Sequence, residues 1–364
     1  MKVSFPYMGT TVVYKKLLEL LGHEVIMPPK PSQHTINLGV KYSPEFACFP
    51  LKVIMGSYMQ AIEKGAEVMI TSGGHGPCRA GFYEQVHSRI LKQEGHNVEF
   101  IVFNSLFRDY KSFINNVLKI KNKKSWFTVG KSLLLVYDMI KKLDILEKEV
   151  ERIRAYEVKK GETTKTWEQI QLLFDKANTK KEIKEAFHKG QELLSNIKQT
   201  DVESDRKIRI GIVGEIYVVM EPSINMKMEE LLGNLGAEVE RSQYLSNWIS
   251  YNALPKFLRK GTHEKQILEK GEKYIPIEIG GHAKLTMGQI VDFSDRGFDG
   301  VIHLMPFGCL PELVSQSIVP KVTEELGIPV LTLSIDEQMG VANTLTRIEA
   351  FLDLVKGKQA KKIS

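Results

Sequence analysis

Apolar residues follow two rhythms along this chain. Short continuous runs at residues 2–6, 68–71, 98–103, 208–213, 300–305 and 329–333 have the length of buried strands. Between them apolar positions recur every three or four residues, as on helices. Strands alternating with helices predict a parallel α/β fold. A strand over 2–6, a helix over 12–21 and a strand over 22–26 form one β-α-β unit, and residues 208–213, 226–235 and 236–240 form another. Leu-Leu-Glu-Leu-Leu-Gly-His-Glu-Val from Leu17 reads against Glu-Leu-Leu-Gly-Asn-Leu-Gly-Ala-Glu-Val from Glu230. Further in, one constant offset pairs Lys52 with Lys284, Met55 with Met287, Gly56 with Gly288 and Gly65 with Gly297. A duplicated half is the simplest account.

Between the two copies the period is helical. Leu135, Met139, Leu143 and Leu146, then Ile170, Leu173 and Ala177, fall on helical faces, and the run Leu133 to Val136 suits a buried one. From Lys131 to Asp201 the only glycines are Gly161 and Gly190 and there is no proline, so long helices are permitted. The expected fold is therefore α/β, with two duplicated Rossmann-like parallel-sheet halves and a helical insert between them. The boundaries are 1–105 for the first half, 106–205 for the insert and 206–364 for the second half.

Composition narrows the class. A chain of 364 residues with 43% hydrophobic content suits two or three globular units. No apolar run approaches the roughly 18 residues of a membrane span. The N-terminus enters a strand-like segment directly, without a signal-peptide core, and three cysteines do not make a disulfide scaffold. A cytoplasmic location is the expectation. The net charge of +6 is uneven: residues 107–207 hold 23 Lys and Arg against 16 Asp and Glu, so the excess lies in the insert. No aromatic stacking residues interleave with it, so it reads as a solvated or partner-docking face and not a nucleic-acid surface.

The cysteines carry the candidate chemistry. Cys48 precedes a helix with Pro50 in its first turn, Cys78 lies in Gly73-Gly74-His75-Gly76-Pro77-Cys78-Arg79, and Cys309 lies in Pro306-Phe307-Gly308-Cys309-Leu310-Pro311. All three are expected at helix N-termini along the carboxyl edge of a parallel sheet, where ligands bind. A helix N-terminus favours an anion by about 0.3–1 kcal/mol, which is expected to lower a thiol pKa. The neighbouring Gly74, Gly76 and Gly308 let the backbone approach a bound group and offer it N–H groups. The second-half counterpart of Cys48 is Gly280, so four equivalent helix starts carry three sulfurs. That predicts a three-thiolate metal site with one open position. Zinc held by the three cysteines with His282 or His75 is the chemical alternative, and inert buried thiols are the plain one. The ligand spacing does not choose between metals.

Four stretches together resemble the 2-hydroxyacyl-CoA dehydratase/benzoyl-CoA reductase family, in its small CoA protein activase branch. They are Tyr42-Ser43-Pro44-Glu45-Phe46-Ala47-Cys48-Phe49-Pro50-Leu51-Lys52, Gly73 through Tyr83, Gly214-Glu215-Ile216-Tyr217, and Met305 through Glu312. The resemblance implies a 4Fe-4S cluster held by Cys48, Cys78 and Cys309, with one iron meeting the substrate. It implies an ATP-dependent activator of the actin-like/sugar-kinase fold that supplies a low-potential electron. In the dehydratases that electron forms a ketyl radical that expels the hydroxyl. An acyl-CoA substrate, and a homodimer or heterodimer, belong to the same implication, which leans toward a radical dehydratase or reductase component. A non-catalytic cluster carrier or adaptor for the activator is the other reading. A double-cubane cluster needs more cysteines than one chain holds.

Other motifs contribute less. Val129-Gly130-Lys131-Ser132 has Ser125 where a P-loop requires its first glycine, and His263-Glu264-Lys265-Gln266-Ile267 has Ile267 in place of the second histidine of a zinc-protease helix. His75 and His282 are the best-placed proton donors. Glu215 is either an acid/base group or a cap for the following turn.

Overall fold

The computed structural model describes residues 1–73, 78–103, 110–203, 207–253, 262–338 and 340–363. Its strands form two four-stranded parallel sheets with the same strand order. In the first, β1 (Lys2–Ser4) lies between β2 (Glu24–Val25) and β3 (Val68–Ser72), with β4 (Glu99–Phe103) outside β3. In the second, β5 (Ile208–Gly214) lies between β6 (Ala237–Arg241) and β7 (Gly300–Pro306), with β8 (Val330–Ile335) outside β7. Val3 pairs with Val68 and Ile210 with Gly300, so the two sheets agree in register as well as order. The fold is α/β with two Rossmann-like halves.

In the first half α1 (Val12–Leu20) joins β1 to β2. The pair α2 (Gln33–Tyr42) and α3 (Phe49–Glu63) precedes β3, and α4 (Tyr83–Gln93) precedes β4. Four helices lie between the halves: α5 (Tyr110–Lys121), α6 (Trp126–Ile153), α7 (Glu162–Lys176) and α8 (Lys180–Ser195). The second half holds α9 (Ile216–Met220), α10 (Met228–Asn234), α11 (Leu245–Ala253), the pair α12 (His263–Glu272) and α13 (Ala283–Asp295), α14 (Leu310–Leu326) and α15 (Val341–Ile363).

The duplication extends into helix packing. A Cβ on Gly39 of α2 would stand 1.8 Å from the Lys52 carbonyl oxygen, and one on Gly56 of α3 would stand 1.9 Å from that of Thr35. Gly271 and Gly288 repeat this at 2.1 Å from Lys284 and 1.9 Å from Ile267. Both helix pairs are thus in backbone contact, which only glycine permits. His263-Glu264-Lys265-Gln266-Ile267 is the start of α12, the counterpart of α2.

The core is continuous across the halves. Phe49, Met55, Tyr58 and Met69 from the first share a cluster with Ile210, Tyr217, Leu304 and Phe351 from the second. The insert has its own cluster, in which Met139, Leu143, Ile170 and Phe174 pack with Val12, Val13 and Leu245. The run Leu133 to Val136 does not form one buried face: Val136 is buried while Leu133 and Leu134 are exposed. Helical rotation of ~100° per residue carries adjacent positions off the packed side. Val129-Gly130-Lys131-Ser132 lies within α6, past its Ser125 cap, and so has no loop in which to cradle a phosphate.

Candidate functional site

Cys48 caps α3, Cys309 caps α14, and Cys78 caps a single 3-10 turn (Arg79–Phe82) that leads into α4. Pro50 and Pro311 occupy the first turns of α3 and α14, where a missing N–H costs nothing. The loops are tied to one another. Phe49 N–H donates to the Phe307 carbonyl at 3.1 Å, which joins the Cys48 and Cys309 segments. Arg79 donates to the Phe46 carbonyl at 2.6 Å, which joins the Cys78 and Cys48 segments. A Cβ on Gly281 would stand 2.7 Å from Pro311 Cγ and 3.7 Å from Cys78 Sγ, so the Gly280–Gly281 turn closes the ring. Gly280, Gly281 and Gly308 all have positive φ, at 71°, 60° and 74°.

All three cysteines are free. Cys48 and Cys309 are buried, and Cys78 is half-buried. The expected lowering of their pKa values is reversed. Burial pushes the Cys48 thiol up against the opposing pull of the Tyr83 hydroxyl and Arg79. Burial, then Glu215, Cys48 and Glu312, hold Cys78 up. Burial, then Glu312 and Glu215, push Cys309 farthest. The reason is one of magnitude. A helix N-terminus contributes at most about 1 kcal/mol on an exposed site, less than one pKa unit, whereas desolvation beside carboxylates acts over several.

Glu215 follows β5 directly and accepts N–H bonds from Tyr217 and Val218 at 3.0 and 3.2 Å, capping α9. Desolvation outweighs those two bonds and raises its carboxyl to about 7. It is thus a cap and also a group that titrates near neutrality. His282 begins α13, and burial lowers its pKa, so the ring is neutral at pH 7. Gly74, His75 and Gly76 lie outside the described residues.

Other residues belong to this edge. Tyr83 Oη pairs with Cys48 Sγ at 2.7 Å. Glu312, three residues past Cys309, is fully buried against His303. Tyr83 and Glu312 stand inside the cysteine motifs and could have been suspected from them. His303 sits mid-strand and gives no such signal. Phe46, Phe82, Phe307, Leu310 and Leu313 are exposed, each within four residues of a site cysteine.

Comparison with protein families gives the context. The model of the 2-hydroxyglutaryl-CoA dehydratase D-component matches residues 131–355. The chain belongs to this family. A CoA enzyme activase uncharacterised domain matches residues 2–71. Cys309, Glu215 and Gly280 fall in the dehydratase match, which begins within α6 and includes most of the insert; Cys48 falls in the activase match. No curated protein matches the chain. Family membership makes it a dehydratase-type component, and the second match links it to the activator side of the same system. Among the described residues no helix is long and apolar enough to cross a membrane.

Proposed function

We propose that Cys48, Cys78 and Cys309 hold one 4Fe-4S cluster with its open corner toward the Gly280–Gly281 turn. The chain would act as a cytoplasmic dehydratase-family component on acyl-CoA, taking low-potential electrons from an ATP-dependent activator of the actin-like/sugar-kinase fold. One observation carries the reading: three free thiols lie on separate loops of the two halves, tied to one another by hydrogen bonds, beside two carboxylates.

The donor set suits a cationic group. Burial and neighbouring negative charge keep these thiols protonated, and a bound cation would convert that repulsion into ligation with loss of the protons. The positive φ of Gly308, and the 3.3 Å at which its Cβ would meet Cys48 Cα, leave backbone in place of side chain at the site. When bound, the cluster would supply a one-electron reductant with one iron open to a ligand. Glu215 would hold a proton on its carboxyl near neutral pH, available to a departing hydroxyl. His282 is the second proton-handling group, and Gly74, His75 and Gly76 enter from the sequence alone.

The exposed collar of Phe46, Phe82, Phe307, Leu310 and Leu313 supports a partner covering this edge.

Anaerobic reconstitution followed by iron analysis and electron paramagnetic resonance tests the proposal. About four irons per chain are expected, most of them lost in each of Cys48→Ala, Cys78→Ala and Cys309→Ala. An iron-free wild type overturns the reading, and a variant with full iron removes that ligand. Turnover of 2-hydroxyacyl-CoA with the reduced activator separates an enzyme component from a cluster carrier.

A further inference from the structure

Behind the cysteine site lies a buried hydrogen-bonded pair. Glu312 and His303 are both 0% exposed, with Nε2 2.9 Å from Oε2. A carboxylate only accepts, so Nε2 carries the hydrogen. Nδ1 then faces Thr332 Oγ1 at 3.2 Å. The Thr286 hydroxyl, 3.2 Å from both carboxylate oxygens, completes the set. β7, β8, α13 and α14 thus converge on one carboxylate.

That carboxylate bears electrostatically on the site. Glu312 occupies the first turn of α14, the helix that Cys309 caps. Its backbone N–H bonds toward the Cys309 sulfur while its side-chain charge opposes a thiolate there. The same charge bears on Cys78, Glu215 and His282.

The duplicated fold supplies an internal control. In the first half Thr71 stands where His303 stands and Ile54 where Thr286 stands, and Gly81, three residues past Cys78, stands where Glu312 stands three past Cys309. The first half builds the same strand order and the same glycine-contact helix pair without any charge at this point. The fold does not require the pair.

We infer that Glu312 is an electrostatic positioning residue of the cysteine site, a fixed buried carboxylate that holds the reduction potential of the bound centre low, with His303 and Thr286 keeping it in place. This rests on the cluster reading above. Reduction adds one negative charge, and a carboxylate close by in a poorly screened interior opposes it.

The test is an anaerobic redox titration, monitored by electron paramagnetic resonance, of protein reconstituted with iron and sulfide. Glu312→Gln keeps the shape and can still accept from His303 and Thr286, so a merely structural role is largely preserved. The inference expects equal iron content and a more positive midpoint potential, with Glu312→Asp staying near wild type. An unchanged or more negative potential in the iron-loaded Glu312→Gln protein overturns it. If Glu312→Gln does not retain iron, Thr286→Val decides: it removes one donor and keeps the charge, so a more negative potential is expected and no shift overturns the inference. A wild type that binds no iron brings down the cluster reading and this inference together. Equal potentials with iron bound bring down this inference alone.

Discussion

Phe49 N–H donates to the carbonyl of Phe307 at 3.1 Å, so the two halves are hydrogen-bonded one residue after Cys48 and two before Cys309. The contact forces close backbone approach. Gly308, at φ 74°, sits so near that a Cβ would meet Cys48 Cα at 3.3 Å.

Gly308→Ala is therefore expected to weaken metal retention as well as stability. A left-handed non-glycine residue costs about 1–2 kcal/mol, and the crowding adds to it. Gly327, the C-cap of α14 at φ 68° with nothing within 4 Å of a Cβ, is the matched control. Gly327→Ala should lower the melting temperature by the strain alone and leave the iron content intact. If both variants retain iron equally, Gly308 is a turn glycine and nothing more.

Helical glycines give a prediction with opposite signs at different sites. Gly39→Ala would place Cβ 1.8 Å from the Lys52 carbonyl oxygen, and backbone on both sides leaves little room to yield. A loss of about 3 kcal/mol or more is expected. Gly130 lies inside α6 with nothing within 4 Å. Gly130→Ala should instead stabilise by about 1 kcal/mol through helix propensity. Urea denaturation of the two variants reads both, and a neutral Gly39→Ala would mean that α2 and α3 are not in backbone contact.

These glycines also mark where sequence reasoning stopped. The duplicated sheets were legible because both β-α-β openings share one pattern and the α3/α13 helices and the strands after them repeat theirs at one offset. The α2/α12 pair was missed although Gly39 and Gly271 share that offset, because a glycine inside a polar helix ordinarily signals a break. The cysteines were legible as residues at helix N-termini, but the direction of their pKa shift was not. That direction depends first on burial and then on Glu215 and Glu312, and tertiary packing sets both. The Glu312–His303 pair has the same origin: His303 reads as one polar residue in an apolar strand until β7, α13 and α14 are brought together.

His87 should make stability pH-dependent. Its ring is buried edge-on to Tyr58 at 5.3 Å, with Nε2 3.0 Å from the Leu51 carbonyl, and burial lowers its pKa to about 4. An unfolded histidine titrates near 6.5. The fold therefore favours the neutral ring, and the stability it contributes is complete above pH ~6.5. It is lost progressively as pH falls toward 4, by about 3 kcal/mol at most. Denaturation curves between pH 7 and 4.5 should fall less steeply in His87→Gln than in the wild type. Parallel profiles would assign the acid sensitivity to other groups.

Arg241 tests whether the insert is a detachable module. Its guanidinium is buried between Glu147 and Glu151 of α6 and Glu229 of α10, at 3.6 Å from Glu151 and 3.3 Å from Glu229. Its Nε also donates to the Gln243 carbonyl. One second-half cation thus neutralises carboxylates of both the insert and the second half. Arg241→Met would leave those carboxylates buried without it, a loss on the order of 3–5 kcal/mol at neutral pH. The loss should shrink in acid. Desolvation already raises Glu147 to about 7 and Glu151 well above its usual range, so protonation relieves the uncompensated charge as pH falls. The gap between Arg241→Met and wild type in urea midpoints should therefore narrow from pH 8 to pH 6. A variant as stable as wild type at pH 8 would show that the insert is held by its apolar cluster alone, and deletion of 107–207 could then probe partner docking. If the predicted loss is found, that deletion disrupts the second half itself, and surface substitutions on the insert become the sound way to ask what docks there.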